Sequence, residues 1–247
     1  MKRLLSLTAA VLSALAAMSA DIAWTIGANT VNDSDVQTDG KLVYAYAVDD
    51  CTVNGVAFMG TPGGTNWLQD VTFSTTYGKA TSAYWYDPNN EWTAVSAGYK
   101  TILKGGSYTA PNVKNDTYTL RHLVPGRRYL VQWWFNDMRA ERTSSSADIG
   151  GSSALRLTMS GHPLGAHAVG LFTADAETQS FSVVYSIEGQ INALQLRCLD
   201  PDADIAWEAH VTAGIDDVVT EGVRQYAYVP AGSGMCVKGE SFVSVAG

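Results

Sequence analysis

The sequence predicts an all-β protein: a jelly-roll-like antiparallel β-sandwich with one short helix, followed by an incomplete second copy of the same module. Three observations lead to this prediction. Short runs of alternating apolar residues are separated by Gly, Pro, Asn and Asp, which is typical of strands joined by turns. Only 16% of the 247 residues are charged and 23 are glycine, a balance that favours many turns over long helices. The third observation is an internal repeat, described below.

The central strand is predicted at residues 129–135. An apolar run ends at Leu123, and Pro125 followed by Gly126 predicts a type II turn, because Pro presets φ and Gly accepts the positive φ that comes next. The strand has one fully apolar face and one mixed face, respectively Tyr129, Val131, Trp133 and Phe135, and Leu130, Gln132, Trp134 and Asn136. The pattern predicts a hairpin with one strand deep in the sandwich.

Residues 1–20 have the pattern of a secretory signal peptide. Lys2 and Arg3 precede an apolar stretch that ends in small residues near Ala20. The stretch is short for a membrane span, which is the alternative interpretation, and the sequence contains no second apolar segment of spanning length. We therefore expect a secreted or cell-surface protein with no membrane span in the mature chain.

The other elements follow in order along residues 21–200. Strands are predicted at 22–26, 41–47, 52–59 and 70–76, and later at 154–160, 166–173, 179–187 and 191–198. A helix is predicted over 93–103, because Val95, Tyr99, Ile102 and Leu103 have helical spacing. Gly105 and Gly106 then predict a glycine cap at its end.

The repeat begins with Asp-Ile-Ala-Trp, which occurs at residues 21–24 and again at 204–207. The same order and similar spacing continue in pairs of matching segments: Tyr44-Ala45-Tyr46 with Tyr226-Ala227-Tyr228, and Val53-Asn54-Gly55 with Val237-Lys238-Gly239. We therefore expect a module at 21–200 and the truncated start of a second copy at 204–247, in a longer multi-module protein. Alternatively, residues 204–247 add strands to the first module or to a neighbouring molecule.

Several segments of the module resemble a known family. They are Asp35-Val36, Tyr44-Ala45-Tyr46, Val53-Asn54-Gly55-Val56, Pro125-Gly126, Asp137-Met138-Arg139, Phe172-Thr173-Ala174-Asp175 and Asn192-Ala193-Leu194-Gln195-Leu196-Arg197. They resemble the jelly-roll modules of large secreted proteins from planctomycete- and verrucomicrobia-type bacteria. The resemblance implies a lectin-like sandwich and specifies no activity.

The aromatic loop at 84–92 is the best candidate for a ligand surface. Trp85, Tyr86 and Trp92 offer rings that stack on sugar faces, Asp87 can bind hydroxyl groups, and Trp67 on the preceding Gly-rich loop is a further candidate. The alternative is that these aromatic side chains complete the core. An extracellular polysaccharide is the partner that this loop predicts.

Two other clusters have a functional and a structural interpretation. Asp33, Asp35 and Asp39 are weak candidates for a calcium site, and turn-forming roles explain them without a metal. Asp137, Arg139, Glu141 and Arg142 form either an ion-paired strand end or a polar rim that binds an acidic sugar.

Three cysteines are present: Cys51, Cys198 and Cys236. Export permits disulfides, and the first and last strands of a sandwich often lie close together, so a bridge between Cys51 and Cys198 is one hypothesis. Cys236 lies where the repeat places the counterpart of Cys51.

The sequence favours a non-catalytic binding module over other classes. A net charge of −8 without a basic cluster argues against nucleic acid as a partner. No cofactor motif or nucleophile elbow occurs, and the four histidines have no ligand spacing. The alternatives are a purely architectural spacer of a cell-surface protein and, less favoured, a polysaccharide-degrading enzyme, whose paired carboxylates a sequence does not reveal.

Overall fold

A computed structural model of the chain describes residues 21–26, 32–80, 95–137, 142, 144–150, 155–158 and 165–200, and the backbone of four short strands between 219 and 244. The predicted signal peptide at 1–20 lies outside these residues. The strands of the module are β1 (Ala23–Ile26), β2 (Lys41–Ala47), β3 (Cys51–Val53), β4 (Val56–Gly60), β5 (Gly64–Trp67), β6 (Val71–Ala80), β7 (Gly106–Thr109), β8 (Asn115–Leu120), β9 (Arg128–Phe135), β10 (Ser146–Ile149), β11 (Leu155–Thr158), β12 (Ala166–Thr173), β13 (Gln179–Tyr185), β14 (Gln190–Ile191) and β15 (Ala193–Cys198). Helix α1 spans Ala97–Lys104, and a 3-10 turn spans Asp33–Asp35.

The strands form two sheets. The first sheet has the order β1-β12-β9-β15-β2-β4-β3, and the second has the order β11-β10-β13-β8-β6-β7-β14, with β5 paired to β6. The all-β sandwich with one short helix is therefore confirmed for the described residues. One pairing departs from the antiparallel rule, because β4 inserts between β2 and β3 and runs parallel to β2.

The main core lies between the two sheets and is rich in aromatic side chains. The predicted apolar face of β9 points into it, and all four of its side chains are buried: Tyr129, Val131, Trp133 and Phe135. In the second sheet, Tyr118 stacks on Phe181 with ring centroids 5.1 Å apart, and Trp24 of the first sheet packs edge-on against Phe181 at 5.0 Å. Aromatic pairs of this kind each add about 0.5–1.5 kcal/mol beyond the burial of area.

The other face of the first sheet is also covered. Helix α1 buries Tyr99, Ile102 and Leu103 against it, and Trp134 of β9 donates from Nε1 to the Tyr99 hydroxyl at 3.1 Å. Gln132 is hydrogen-bonded on this face, since its Oε1 accepts from the Gln37 amide at 3.0 Å and its Nε2 donates to the Asp35 carbonyl at 2.8 Å. The mixed face that the sequence predicts for β9 is therefore a second, smaller core.

The predicted hairpin around Pro125 and Gly126 is wrong. The turn itself is confirmed, with Gly126 at φ +85° and Arg127 donating to the Val124 carbonyl at 3.1 Å. However, β8 pairs with β6 and β13 in the second sheet, whereas β9 pairs with β12 and β15 in the first. Residues 121–127 thus cross from one sheet to the other, and an alternating pattern does not distinguish this crossing from a hairpin.

The end of α1 also differs from its prediction. Gly105 is extended, with φ −154°, so it is not a left-handed cap. A Cβ atom there would lie 2.3 Å from the Ala80 carbonyl oxygen, which means that glycine is needed for a close approach between strands. The helix begins after Ser96, whose Oγ accepts from the Tyr99 amide at 3.1 Å.

Beyond the module, the structure describes two backbone hairpins. One pairs β16 (Val219–Thr220) with β17 (Val223–Arg224), and the other pairs β18 (Met235–Lys238) with β19 (Ser241–Ser244). The second hairpin lies where the repeat aligns with β3 and β4. The truncated second copy remains a prediction.

Candidate functional site

The loop end of the sandwich, as we call it, is the end at which β2, β4, β6 and β9 finish and β7, β12 and β15 start. The register places these ends together, since Ala80 pairs with Gly106, Phe135 with Ala166, and Ala193 with both Trp134 and Ala47. The connection from β6 to α1 leaves from this end. Binding residues of sandwiches commonly lie on such connections.

The candidate ligand residues Trp85, Tyr86, Asp87 and Trp92 lie outside the described residues, but both ends of their segment are described. The segment starts after Ala80, which is paired in the second sheet. It finishes at Val95, which is buried against the first sheet, and at Ser96, whose amide donates to Asp33 Oδ1 at 2.8 Å. Residues 81–94 therefore follow the second sheet at the loop end and precede α1 on the outer face of the first sheet.

Two buried asparagines, Asn136 and Asn192, hydrogen-bond the backbone segments that meet at the loop end. Asn192 Oδ1 accepts from the Asn136 amide at 2.6 Å, and Asn192 Nδ2 donates to the Gly105 carbonyl at 2.9 Å. Asn136 Nδ2 donates to the Leu103 carbonyl at 2.6 Å. These bonds tie the end of α1 to the ends of β9 and β15, so the elements that flank residues 81–94 are held in one position.

Trp67, the further candidate, is not an exposed ring. It is 0% exposed and packs edge-on against Phe73 with ring centroids 4.8 Å apart. The structure thus places Trp67 in the main core, which is the alternative that the sequence left open, and its indole has no face available to a soluble ligand.

The charged residues after β9 have separate roles. Asp137 is fully buried, and Arg142 forms an ion pair with Glu188 in which both side chains are mostly shielded. Arg139 and Glu141 lie outside the described residues. For Arg142 the ion-paired interpretation therefore applies, and the buried Asp137 carboxylate does not face solvent as a rim residue would.

The acidic residues proposed for calcium have structural roles as well. Asp35 Oδ2 accepts from the Asn32 amide at 3.0 Å and completes a capping box, while Asp33 Oδ1 holds the start of α1. Asp39 contributes its backbone carbonyl, which accepts from Arg197 Nε at 2.8 Å. Among the residues that the structure describes, no three His, Cys, Asp or Glu side chains come together as a metal site requires.

The Cys51–Cys198 disulfide is wrong, because both residues are free cysteines. Cys198 pairs with Lys41 at the start of β2. Cys51 pairs with Phe58 of β4, and the next residue of β4, Met59, pairs with Tyr46 near the end of β2. Along β2, Lys41 and the level of Phe58 are four residues apart, about 13 Å, and a disulfide needs Cα atoms within about 7 Å. Burial, together with Asp50 and Asp49, raises the pKa of Cys51 to about 12.

A constellation that the sequence did not reveal lies at the opposite end of the sandwich. Asp70 is buried in the turn between β5 and β6, and its Oδ1 lies 2.9 Å from Nε2 of the half-exposed His122. Its other oxygen accepts from the Tyr46 hydroxyl, and burial followed by the charge of Asp70 raises the pKa of Tyr46 strongly. These residues are far apart in sequence and share no motif, so only the crossing of residues 121–127 brings them together.

This constellation locks the connection between the sheets. Besides the side-chain contacts, the Arg121 amide donates to the Asp70 carbonyl at 2.9 Å. A histidine oriented by a buried carboxylate also occurs in catalytic sites. Here the contacts of His122 and Arg121 with Asp70 hold two chain turns in register.

No helix within the described part of the chain is long and apolar enough to cross a membrane. No family model matches the sequence, and no curated protein matches it either.

Three solved structures from plant receptor-like kinases are similar to this chain. The ANX1 ectodomain from Arabidopsis thaliana has a TM-score of 0.41 at 11% identity and covers 66% of this chain and 42% of its own. The ANXUR1 extracellular domain from Arabidopsis thaliana has a TM-score of 0.41 at 11% identity, with 64% and 42% covered. The plant receptor-like kinase ANX1 has a TM-score of 0.30 at 8% identity, with 71% and 50% covered. The chain therefore spans about two fifths of the length of the first two, and no family is identified for it.

Proposed function

We propose that residues 21–200 form a non-catalytic extracellular module that binds carbohydrate through the aromatic segment at 84–92. The observation that carries the proposal is the position of Ala80 and Val95. Ala80 precedes the segment at the loop end, Val95 follows it on the outer face of the first sheet, and both are held by the sheets. A segment anchored in this way on a rigid sandwich is favourably placed to present aromatic rings to a ligand.

The use of tryptophan in the core supports the same proposal. The chain has seven tryptophans, and the four that the structure describes are all buried: Trp24, Trp67, Trp133 and Trp134. Three of them lie in the core between the sheets, and Trp134 lies in the smaller core on the outer face of the first sheet. Trp85 and Trp92 are the remaining tryptophans of the module and are our candidates for sugar stacking.

The ligand that we propose is a neutral polysaccharide. The chain carries a net charge of −8, and Arg142 near the loop end is already paired with Glu188. The net negative charge would repel an acidic sugar, and within the described part of the loop end Arg142 is already engaged by a carboxylate. Binding should also persist in a chelator, because the carboxylates of Asp33 and Asp35 already accept backbone N–H groups.

The resemblance to modules of large bacterial secreted proteins extends the proposal to the whole protein. We place the module in a multi-module chain at the cell surface. The alternative is a purely architectural spacer, which has the same fold and no soluble ligand.

The test is affinity electrophoresis of the full mature chain against a panel of neutral and acidic polysaccharides. We expect a neutral polymer to retard the protein, and the double variant Trp85→Ala, Trp92→Ala to abolish retardation without changing Tm. The matched control is Tyr108→Ala, which removes a large exposed ring from β7 in the second sheet and should leave binding intact. A folded protein that no polymer retards would favour the architectural spacer.

A further inference from the structure

His167 is a buried histidine on the outer face of the first sheet. It is 3% exposed, and its ring lies beside that of Trp134, its partner on β9, with centroids 6.1 Å apart. Its Nδ1 is buried and has no hydrogen-bond partner among the residues that the structure describes. A protonated imidazole donates from both nitrogens, so protonation here would leave a buried donor without an acceptor. The present surroundings of His167 therefore accommodate the neutral ring.

The segment at residues 32–37, which we call the strap, lies on this face beside His167. The Asp35 carbonyl accepts from Gln132 Nε2 at 2.8 Å. Gln132 pairs with Val169, which is two residues from His167 along β12. Because alternate residues of a strand share a face, the strap rests one side-chain position away from the His167 ring.

In the part of the chain that the structure describes, Asp35 is the charged group that acts on the ring. Burial lowers the pKa of His167, and the charge of Asp35 opposes this effect in part. The other elements around the ring present Gln132 and Trp134 from β9 and, hydrogen-bonded to Trp134, Tyr99 from α1, none of them charged near neutral pH. Strand β1, on the other side of β12, contains no titratable side chain. The Asp35 carboxylate is therefore the acceptor to which a protonated His167 would turn.

That carboxylate already has a role within the strap. Its Oδ2 accepts from the Asn32 amide at 3.0 Å and completes the capping box of the 3-10 turn Asp33–Asp35. One carboxylate cannot keep this bond and also move to the His167 ring, because the two partners lie on different sides of the turn's backbone only through the capping geometry. Protonation of His167 thus competes directly with the hydrogen bond that closes the turn.

The same turn holds the chain that follows the proposed ligand segment. Asp33 Oδ1 accepts from the Ser96 amide at 2.8 Å. Ser96 is the N-cap of α1 and comes just after residues 81–94. Opening of the turn would therefore release one of the contacts that fix the end of this segment.

We propose that His167 is a pH-sensitive switch that loosens the carbohydrate-binding segment when its ring takes up a proton. The ligand in this statement rests on the proposed function, whereas the opening of the strap does not. With a neutral ring, the capping box is closed and Asp33 holds Ser96. With a protonated ring, Asp35 turns toward His167, the turn opens and the affinity for the ligand falls. Because the pKa of the folded-state ring is lowered from about 6.5, the change belongs to mildly acidic pH and leaves binding at neutral pH intact.

The first experiment follows the strap without any ligand. Hydrogen exchange of the Asn32 and Ser96 amides is measured in the full mature chain at pH 7.5 and pH 5.0 and corrected for intrinsic exchange. In wild type we expect protection of both amides to fall about five- to tenfold at the lower pH, a coupling of ordinary size. His167→Gln and His167→Phe, which take up no proton there, should show no such fall.

His122→Gln is the matched control, because it makes the same change in a histidine at the opposite end of the sandwich. It should keep the wild-type loss of protection at Ser96. A loss of equal size in wild type and in both His167 variants would overturn the proposal, and so would unchanged protection in wild type.

A second variant tests the part played by Asp35. Asp35→Asn keeps a side-chain oxygen that can accept from the Asn32 amide and removes the charge that favours the protonated ring. The midpoint of the Ser96 response should therefore move to lower pH. A midpoint that stays where it is in wild type would show that Asp35 is not the partner of the protonated ring.

The ligand step is tested by affinity electrophoresis at the same two pH values, with the neutral polymer that retards wild type. The Kd of wild type should rise about five- to tenfold at pH 5.0, and that of His167→Gln should stay unchanged. If Ser96 responds to pH but retardation does not, the coupling to the ligand is wrong. If no polymer retards the protein at either pH, the proposed function fails, and the exchange of Ser96 alone decides whether His167 opens the strap.

Discussion

His122 combines a strained backbone with a contact to a buried carboxylate. Its φ is +62°, in the left-handed region that favours glycine, and its ring lies 2.9 Å from Asp70 Oδ1. Leu68 and Gln69 in the facing turn also have positive φ, at +46° and +69°. Strain on both sides of the contact indicates that the interactions of Asp70 hold the two turns together.

We expect His122→Ala and His122→Gly to separate these two effects. Both remove the ring from Asp70, and leaving this buried acceptor with one partner fewer should cost about 1–3 kcal/mol of unfolding free energy. The glycine variant also relieves the left-handed backbone, so it should be more stable than the alanine variant by about 1 kcal/mol. Urea unfolding of the three proteins measures both differences. If alanine and glycine are equally tolerated, the backbone at this position is not strained.

The buried His167 predicts a dependence of stability on pH. Burial lowers the pKa of His167, opposed in part by the charge of Asp35, so the ring stays neutral in the folded protein at pH values where the unfolded chain takes up a proton. The unfolded state then binds more protons below its ordinary pKa of about 6.5, and stability must fall as pH decreases through that range.

His167→Gln should remove this component. As the pH falls from 8 to 5.5, the Tm of wild type should decrease more than the Tm of His167→Gln. All other titrating groups are common to both proteins, so the difference reports on His167. Parallel Tm curves over that range would show that the ring titrates alike in the folded and unfolded states.

At the scale of single elements, helix α1 packs so closely on β3 that the contact restricts which residues the helix can contain. A Cβ atom at Gly98 would lie 2.1 Å from the Thr52 carbonyl oxygen of β3 and 3.3 Å from Val53 Cγ2. Helix and strand therefore approach so closely that only glycine fits, although glycine is a poor helix former.

Gly98→Ala tests which of these effects is larger. Helix propensity alone favours alanine by about 1 kcal/mol, but the clash with backbone should cost more, leaving a net loss of about 1–3 kcal/mol. Lys100→Ala, at a partly exposed position of the same helix, should change stability by less than about 0.5 kcal/mol. Guanidinium unfolding gives both values, and a stabilised Gly98→Ala protein would mean that α1 can move away from β3.

The strands differ in how well their sequence predicts them. Strands β2 and β12 have the predicted bounds of 41–47 and 166–173, because both are long runs of strand-forming residues. The predicted strand 52–59 is two strands, separated by Asn54 and Gly55 at φ +48° and +76°. Strands β7 and β10 were not predicted, since short segments within Gly-rich and polar stretches acquire strand geometry from their neighbours.

At the scale of the whole molecule, the sandwich is stabilised by packing between its sheets without a disulfide between Cys51 and Cys198. Both are free, with Cys198 buried and Cys51 partly buried. Cys236 lies on β18, of which only the backbone is described.

A reducing agent should therefore leave the Tm of the module unchanged. Peptide mapping without reduction should recover Cys51 and Cys198 as separate thiols, and Cys51 should react slowly with alkylating agents at neutral pH, because its pKa is raised to about 12. A linked Cys51–Cys198 peptide, or a Tm that falls in reductant, would contradict the separation of the two cysteines along β2.

The sequence by itself determined the all-β class, the inward face of β9, the turn at Pro125-Gly126 and a short helix, because alternation, helical spacing and turn residues are local properties of the chain. Only the tertiary structure decided that β8 and β9 belong to different sheets, that Trp67 is in the core, that Cys51 on β3 and Cys198 on β15 are kept apart by β2 and β4, and that Asp70 meets His122. Each of these depends on which distant segment a residue faces. A local pattern states that a residue is buried or turning, but the partner is chosen by the packing of the two sheets as a whole.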